Sequence, residues 1–94
     1  MIVTQAHIDH IIRRAQDFGA RRLILFGSAL ETPENARDID LAADIPGMEL
    51  YAFAGVVEEE LSCLIDIVPL NHRTPFIEMV EQRGKVLYDI THVS

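Results

Sequence analysis

Three observations predict an α/β domain built on a mixed four-stranded sheet. Helical and strand patterns follow one another in the order α-β-β-α-β-α-β. The first strand pattern, Leu23-Ile24-Leu25-Phe26, is continuously apolar, as a strand is when both of its faces are covered. The helical stretch between the second and third strand patterns is long enough for a crossover, so those two strands can run parallel.

The elements are justified in order. Thr4 suits the N-cap of a first helix, with Ile8, Ile11, Ile12, Ala15 and Phe18 on one face and Gly19 just past its end. His7 and His10 lie near each other on that helix. With no Cys or acidic partner at ligand spacing, they are expected on the surface. Arg21 to Phe26 is the first strand. Gly27 then lets the backbone turn sharply and approach a ligand, and Ser28 offers a hydroxyl and a backbone N–H that would suit a phosphate if it opens a helical turn. Residues 29–37 read as a polar loop, marked by Pro33 and Asn35. Asp38 to Ala43 is the second strand, with Ile39 and Leu41 toward the core.

From Met48 a second helix buries Leu50, Phe53, Ala54, Val57 and Leu61 and leaves Glu58, Glu59 and Glu60 in solvent. Gly55 in its interior costs about 1 kcal/mol relative to Ala, which predicts close packing there against a strand. Leu64 to Val68 is the third strand, and Pro69 ends it. Asp66 stands among its apolar neighbours, where burial without a metal or basic partner would be costly. Thr74 caps the last helix, Pro75 opens it and Gly84 ends it after Arg83. Lys85 to Ile90 is the fourth strand, with Val86, Tyr88 and Ile90 on one face. The tail Thr91 to Ser94 is expected to fray. His72 and His92 have no constellation around them.

Composition narrows the function. Residues 1–94 are expected to form one domain that buries roughly two thirds of its unfolded surface. With 49% hydrophobic and 24% charged residues, disorder is excluded. No apolar run approaches the ~20 residues of a membrane span, and MIVTQAHIDH lacks the regions of a signal peptide. Cys63 is the one cysteine, so no intrachain disulfide forms and a cytoplasmic location is expected, with the thiol packed in the core. Eight basic residues stand against fifteen acidic ones, a net charge of −7. That balance excludes a grip on long nucleic acid, which needs clustered Lys and Arg. A nucleotide carried as its Mg²⁺ complex stays admissible, because the metal supplies positive charge.

The acids of the second strand carry the chemistry. Asp38 and Asp40 project to one side of the strand, with Cα atoms about 6.5–7 Å apart. Two carboxylates there repel each other, and a divalent cation would reverse the sign. An exposed edge strand that happens to carry two acids is the alternative. Gly27-Ser28, nine intervening residues, Asp38-Ile39-Asp40 and then Asp66 on a later strand together resemble the signature of the DNA polymerase β-like nucleotidyltransferases. Size and element order resemble the minimal nucleotidyltransferase (MNT) branch over nearly the whole chain.

That resemblance implies the polymerase β-like fold and a two-metal phosphoryl-transfer site. Asp38 and Asp40 would hold the nucleotide-bound Mg²⁺ (Mn²⁺ is an alternative). Asp66 would help hold the second ion and draw the proton from the attacking hydroxyl. Gly27 and Ser28 would bind the β- and γ-phosphates of ATP. It further implies a HEPN-type toxin as partner, with this chain as antitoxin transferring AMP from ATP to a tyrosine of the toxin. The alternative is a catalytically degenerate binding module that neutralises its partner by occlusion. A third reading, transfer to a small molecule, needs a partner chain to form the acceptor pocket.

The chain departs from the MNT pattern in two ways. The spacer from Ser28 to Asp38 is one residue shorter, and Glu31 and Glu34 stand where Arg and Gly are common. Acids there would oppose a triphosphate, with Arg37 as a partial offset. Without a second domain to complete the cleft, the chain is also expected to expose an apolar patch on a helix face, away from the carboxylates.

Overall fold

The computed structural model describes residues 1–91. Strands β1 (Arg22–Phe26) and β2 (Ile39–Asp44) pair antiparallel at the centre of a sheet, with Leu25 opposite Leu41 and Phe26 opposite Asp40. Strand β3 (Ile65–Pro69) runs parallel to β2, with Asp40 beside Asp66. Strand β4 (Lys85–Asp89) pairs antiparallel with the free side of β1. The order is therefore β3-β2-β1-β4, a mixed four-stranded sheet among the described residues. The parallel pair needs a crossover, which helix α3 (Glu49–Leu61) makes.

Side-chain alternation divides the core between the two faces. Leu23, Leu25, Ile39, Leu41 and Ala43 are buried with Ile11 and Ala15 of helix α1 (Gln5–Asp17) and with Phe53 and Val57 of α3. Ile24 and Ala42 face the other way and are covered by Ile77 and Val80 of the C-terminal helix α4 (Pro75–Arg83), assigned this label because a short α2 precedes it. The uninterrupted apolar run in β1 thus has the expected cause. Arg22 bonds Glu81 at 2.9 Å, and Arg73 bonds the same carboxylate at 2.6 Å, which ties α4 to the end of the sheet. The Arg22 bond, then the Arg73 bond, hold the Glu81 carboxyl below its ordinary range. No helix among the described residues is long and apolar enough to cross a membrane.

Several expectations are corrected. Residues 29–37 are not an open polar loop. Ser28–Glu31 form one helical turn, α2, and Pro33–Asn35 a 3₁₀ turn, with Ala29 and Ala36 buried in the core. Gly27 C=O accepts the Leu30 and Glu31 N–H groups at 3.1 and 3.0 Å, so the segment satisfies its backbone internally. The N-terminal residues brace it further, Val3 N–H donating to Pro33 C=O at 2.7 Å and Ala36 N–H to Met1 C=O at 3.0 Å.

Gly55 does not pack against a strand: it is exposed, and a Cβ there would meet nothing within 4 Å. Nor does β4 keep one face for Val86, Tyr88 and Ile90. A register shift between Leu23 and Ile24 places Tyr88 opposite Leu23 but Val86 opposite Ile24. Leu87 and Tyr88 pack on the core, while Val86 and Ile90 stay more than half exposed or nearly so. Thr91 is held by Asp89, its N–H and hydroxyl donating to Oδ1 at 2.8 and 2.6 Å. The expectation for residues 92–94, His92 included, lies outside the described residues.

The α1 histidines lie on its flank, each with a defined partner. His7 completes a capping box with Thr4. His10 lies 2.9 Å from Glu60 of α3, an acid that is fifty residues away in sequence. Arg14 reaches the same carboxylate at 2.6 Å. Cys63 is partly buried against the core, and burial, then Glu58 and Asp38, push its thiol up.

Two glycines give opposite predictions. Gly84 ends α4 in extended backbone at φ −75°, so the left-handed conformation is not its reason. A Cβ there would fall 2.5 Å from Ile24 Cγ2 and 2.6 Å from the Val80 carbonyl oxygen. Gly84→Ala should therefore cost about 1–3 kcal/mol in urea unfolding. Gly55→Ala should gain up to about 1 kcal/mol, because an exposed helix interior favours Ala. Glu60 supplies a pH test. The Arg14 and His10 hydrogen bonds hold its pKa to about 2 from an ordinary 4.5. A depressed carboxyl contributes stability above 4.5 that is lost as the pH falls through about 2. Glu60→Gln should flatten the thermal-stability profile across that window, and 1 M salt should shrink the difference.

Candidate functional site

The site is built where β1 ends and β2 begins. Asp38 immediately precedes β2, Asp40 is its second residue, and Asp66 is the second residue of β3. Parallel register puts Asp66 directly beside Asp40. Strand alternation sends Asp40 and Asp66 to the α4 side of the sheet, beyond the part that Ile77 and Val80 cover. Asp38, Asp40 and Asp66 line one open cavity of about 320 Å³ together with Ser28 and Arg37.

Each member is held by a local cause. Gly27 sits at φ 72°, in a region that side chains rarely adopt. A Cβ on Gly27 would fall within the Asp40 carboxylate, so the absence of a side chain makes room for that group. The Ser28 hydroxyl donates to the Asp38 carbonyl oxygen at 3.4 Å and accepts the Arg37 N–H at 3.2 Å. Ser28 thereby fastens the end of the connector and sets where β2 starts. It opens a helical turn as expected, although α2 is one turn long.

Asp40 is the electrostatically strained member. Burial, then the charges of Asp66 and Asp38, then a hydrogen bond with Asp66 raise its carboxyl above the ordinary range. After burial, the neighbouring Asp66 charge is thus what most opposes ionisation of Asp40. Asp66 itself is not the buried acid that its apolar neighbours suggested. It is exposed, because β3 is an edge strand and α4 stops short of it.

Oxygen donors of this kind suit Mg²⁺ in kind. Their placement does not: among the described residues, no group of three or more His, Cys, Asp and Glu is positioned to hold a metal ion. Glu31 and Glu34 are exposed and do not line the cavity, so their charge acts on it only through solvent.

Some contributors were not legible in the sequence. Arg37 and Asp38 form a wall between this cavity and a larger neighbour of about 610 Å³, which Met1, Glu58, Cys63 and Leu64 also line. Glu58 is not simply part of a solvated run, since its Oε1 accepts the Ile65 N–H at 2.9 Å and so anchors the start of β3. Both facts depend on contacts across elements, for which the sequence carries no local signal.

No protein-family model matches the chain, and no curated protein does. Solved structures do. The chain is similar to one in the toxin–antitoxin complex MntA-HepT at TM-score 0.72 and 21% identity, over 94% of this chain and 74% of that one. It is similar, at TM-score 0.71 and 22% identity, to a chain in the tri-AMPylated Shewanella oneidensis HEPN toxin in complex with MNT antitoxin, over 93% of this chain and 73% of that one. A putative minimal nucleotidyltransferase aligns at TM-score 0.71 and 21% identity, over 85% of this chain and 88% of that one. Helices on both faces of a β3-β2-β1-β4 sheet, with the Asp38–Asp40 strand at its centre, thus give this chain the polymerase β-like fold of the minimal nucleotidyltransferases.

Proposed function

We propose that this chain is an MNT-type antitoxin that silences a HEPN-type toxin by docking on it and occluding it. One observation carries the choice of occlusion over chemistry. The chain holds the Gly-Ser and Asp-x-Asp signature of its fold, yet its acids do not assemble a metal-holding group. The partner class is supported by the matched chains, which were solved within toxin–antitoxin complexes. A cytoplasmic location accords with the lone Cys63.

A second reading, AMP transfer from ATP to a tyrosine of the toxin, is favoured by a specific observation. Ser28, Asp38, Asp40 and Asp66 line one cavity, and Gly27 lies against the Asp40 carboxylate, which supports this reading. The matched complex whose toxin is tri-AMPylated points the same way. In this reading Asp38, Asp40 and Asp66 are the catalytic set and Gly27 and Ser28 border the nucleotide. It requires Asp38, Asp40 and Asp66 to turn toward a shared cation, which would offset their mutual repulsion.

The deciding experiment combines this chain, labelled ATP, Mg²⁺ and the product of the adjacent gene, tested as the HEPN-type toxin. Tight binding without label on the toxin, and growth protection that survives Asp40→Asn, is the outcome expected for occlusion. Label on the toxin, with protection lost in Asp40→Asn, establishes transfer in its place.

Two predictions follow from the cavity and need no partner. In chelator at pH 7, Asp40→Asn should raise the melting temperature by a few degrees, since it relieves repulsion among carboxylates. A domain of this size shifts about 4–8 °C per kcal/mol. The sign follows from linkage: a carboxyl with a raised pKa stabilises the fold below its unfolded pKa and loses that contribution as pH rises through the folded one. The advantage of Asn should therefore vanish near pH 3, where aspartates are protonated. A lower melting temperature for Asp40→Asn at pH 7 would refute the repulsion. Gly27→Ala should displace the Asp40 carboxylate and cost about 1–3 kcal/mol in denaturant unfolding, combining overpacking with a positive φ.

A further inference from the structure

Large apolar side chains are exposed in more than one place: Met1 and Leu64 beside the entry to β2 and β3, and a second group at the starts of α3 and α4. Met48 is 78% exposed and Tyr51 57% exposed, at the beginning of α3, and Phe76 is 47% exposed in the first turn of α4. Between them runs an open groove made of two adjoining hollows of about 290 and 250 Å³, which share Pro69 and His72. Met48 and Tyr51 border the first hollow and Phe76 the second. Its floor includes buried Leu50 and Ile77. Large apolar side chains left in water at such density mark a contact surface. A groove between two helix starts accepts the apolar face of another helix.

Charge selects the occupant. The charged residues adjacent in sequence to the groove's lining are Asp44, Glu49, Glu78 and Arg73. The guanidinium of Arg73 is already bound to Glu81 at 2.6 Å, while Glu49 and Glu78 are exposed beside the lining residues in sequence. A second copy of this chain, also at −7, would bring like charge to like. We infer that this groove, over Met48, Tyr51, Pro69, His72 and Phe76, is the seat of a partner helix that carries apolar anchors flanked by Lys or Arg. The inference rests on the docking reading above and gives it an address.

Tyr51→Ser and Met48→Ser test it, because both side chains are mostly in solvent and their loss should leave the melting temperature within a degree or two. Val86→Ser, at a half-exposed apolar residue on β4 outside the groove, is the control. Affinity for the purified product of the adjacent gene, tested as the HEPN-type toxin, is measured by calorimetry at low and high salt, with sedimentation of this chain alone. The expected result is a loss of about tenfold or more for Tyr51→Ser, a smaller one for Met48→Ser, none for Val86→Ser, and wild-type binding that weakens with salt. Wild-type affinity in Tyr51→Ser would overturn the groove while leaving docking intact. A wild type that does not bind that protein at all sinks both. Sedimentation as a dimer that Tyr51→Ser abolishes would assign the groove to a second copy instead.

Discussion

The antiparallel pairing of β1 with β2 is the constraint on which the rest of the molecule depends. Among the described residues these two strands are the only ones flanked on both sides, and both of their faces are covered. Their register places Phe26 opposite Asp40. The chain leaving Phe26 therefore has to turn at Gly27 directly against an ionisable side chain. Any residue with a Cβ at that turn would collide with the carboxylate. A one-residue slip would turn Asp40 into the α1–α3 core and expose Ile39 and Leu41. The hydrophobic pattern of the central strands thus sets the direction of the acids more firmly than any contact the acids make themselves.

The acids, in turn, are an unfavourable feature that the sheet imposes. Parallel pairing of β2 with β3 brings Asp66 beside Asp40, and Asp38 approaches from the strand entry. The molecule has two ways to lower the cost. Asp66 lies on an edge strand, where water screens its charge, and Asp40 retains its proton to a higher pH, through burial first and then the neighbouring Asp66 charge. No arginine is paired with any of the three within the described ion pairs. A cluster that served only stability would be expected to hold a cation or to have been replaced by neutral residues. The signature order of these acids around one cavity is what keeps the transfer reading in view.

Much of this was legible because it is local or periodic. The caps at Thr4 and Thr74, Pro75 at the start of α4, the apolar stripe of α3 and the D-x-D alternation each follow from side chains a few residues apart. The errors came where the outcome depends on distant partners. Residues 29–37 looked polar, but Ala29 and Ala36 find the core only because the N-terminal residues pair alongside. Gly55 suggested close packing, but it lies on the exposed side of α3, and Gly84, which read as a simple stop, sits where a Cβ would strike Ile24. Asp66 read as buried because flanking apolar residues look the same on an edge strand and on a central one. The bulge in β4 lies in the pairing with β1, and nothing in Lys85–Asp89 encodes it.

The geometry of β2 and β3 also separates two tasks in a small chain. Both strands begin at the carboxylates and end at the apolar groove, and Pro69 follows Asp66 by about 10 Å of strand. A protein bound over Tyr51 and Pro69 would leave the acids free of direct contact. Phe76 links the two ends, for it packs edge-on against Phe26 at 5.7 Å, and Phe26 is the register partner of Asp40. Part of a docked helix resting on Phe76 would thus lie one side chain from the cavity. Occlusion and group transfer therefore need not compete for the same surface in this fold. A chain that lost the chemistry would keep the dock, because nothing in the groove depends on the charge state of Asp38, Asp40 or Asp66.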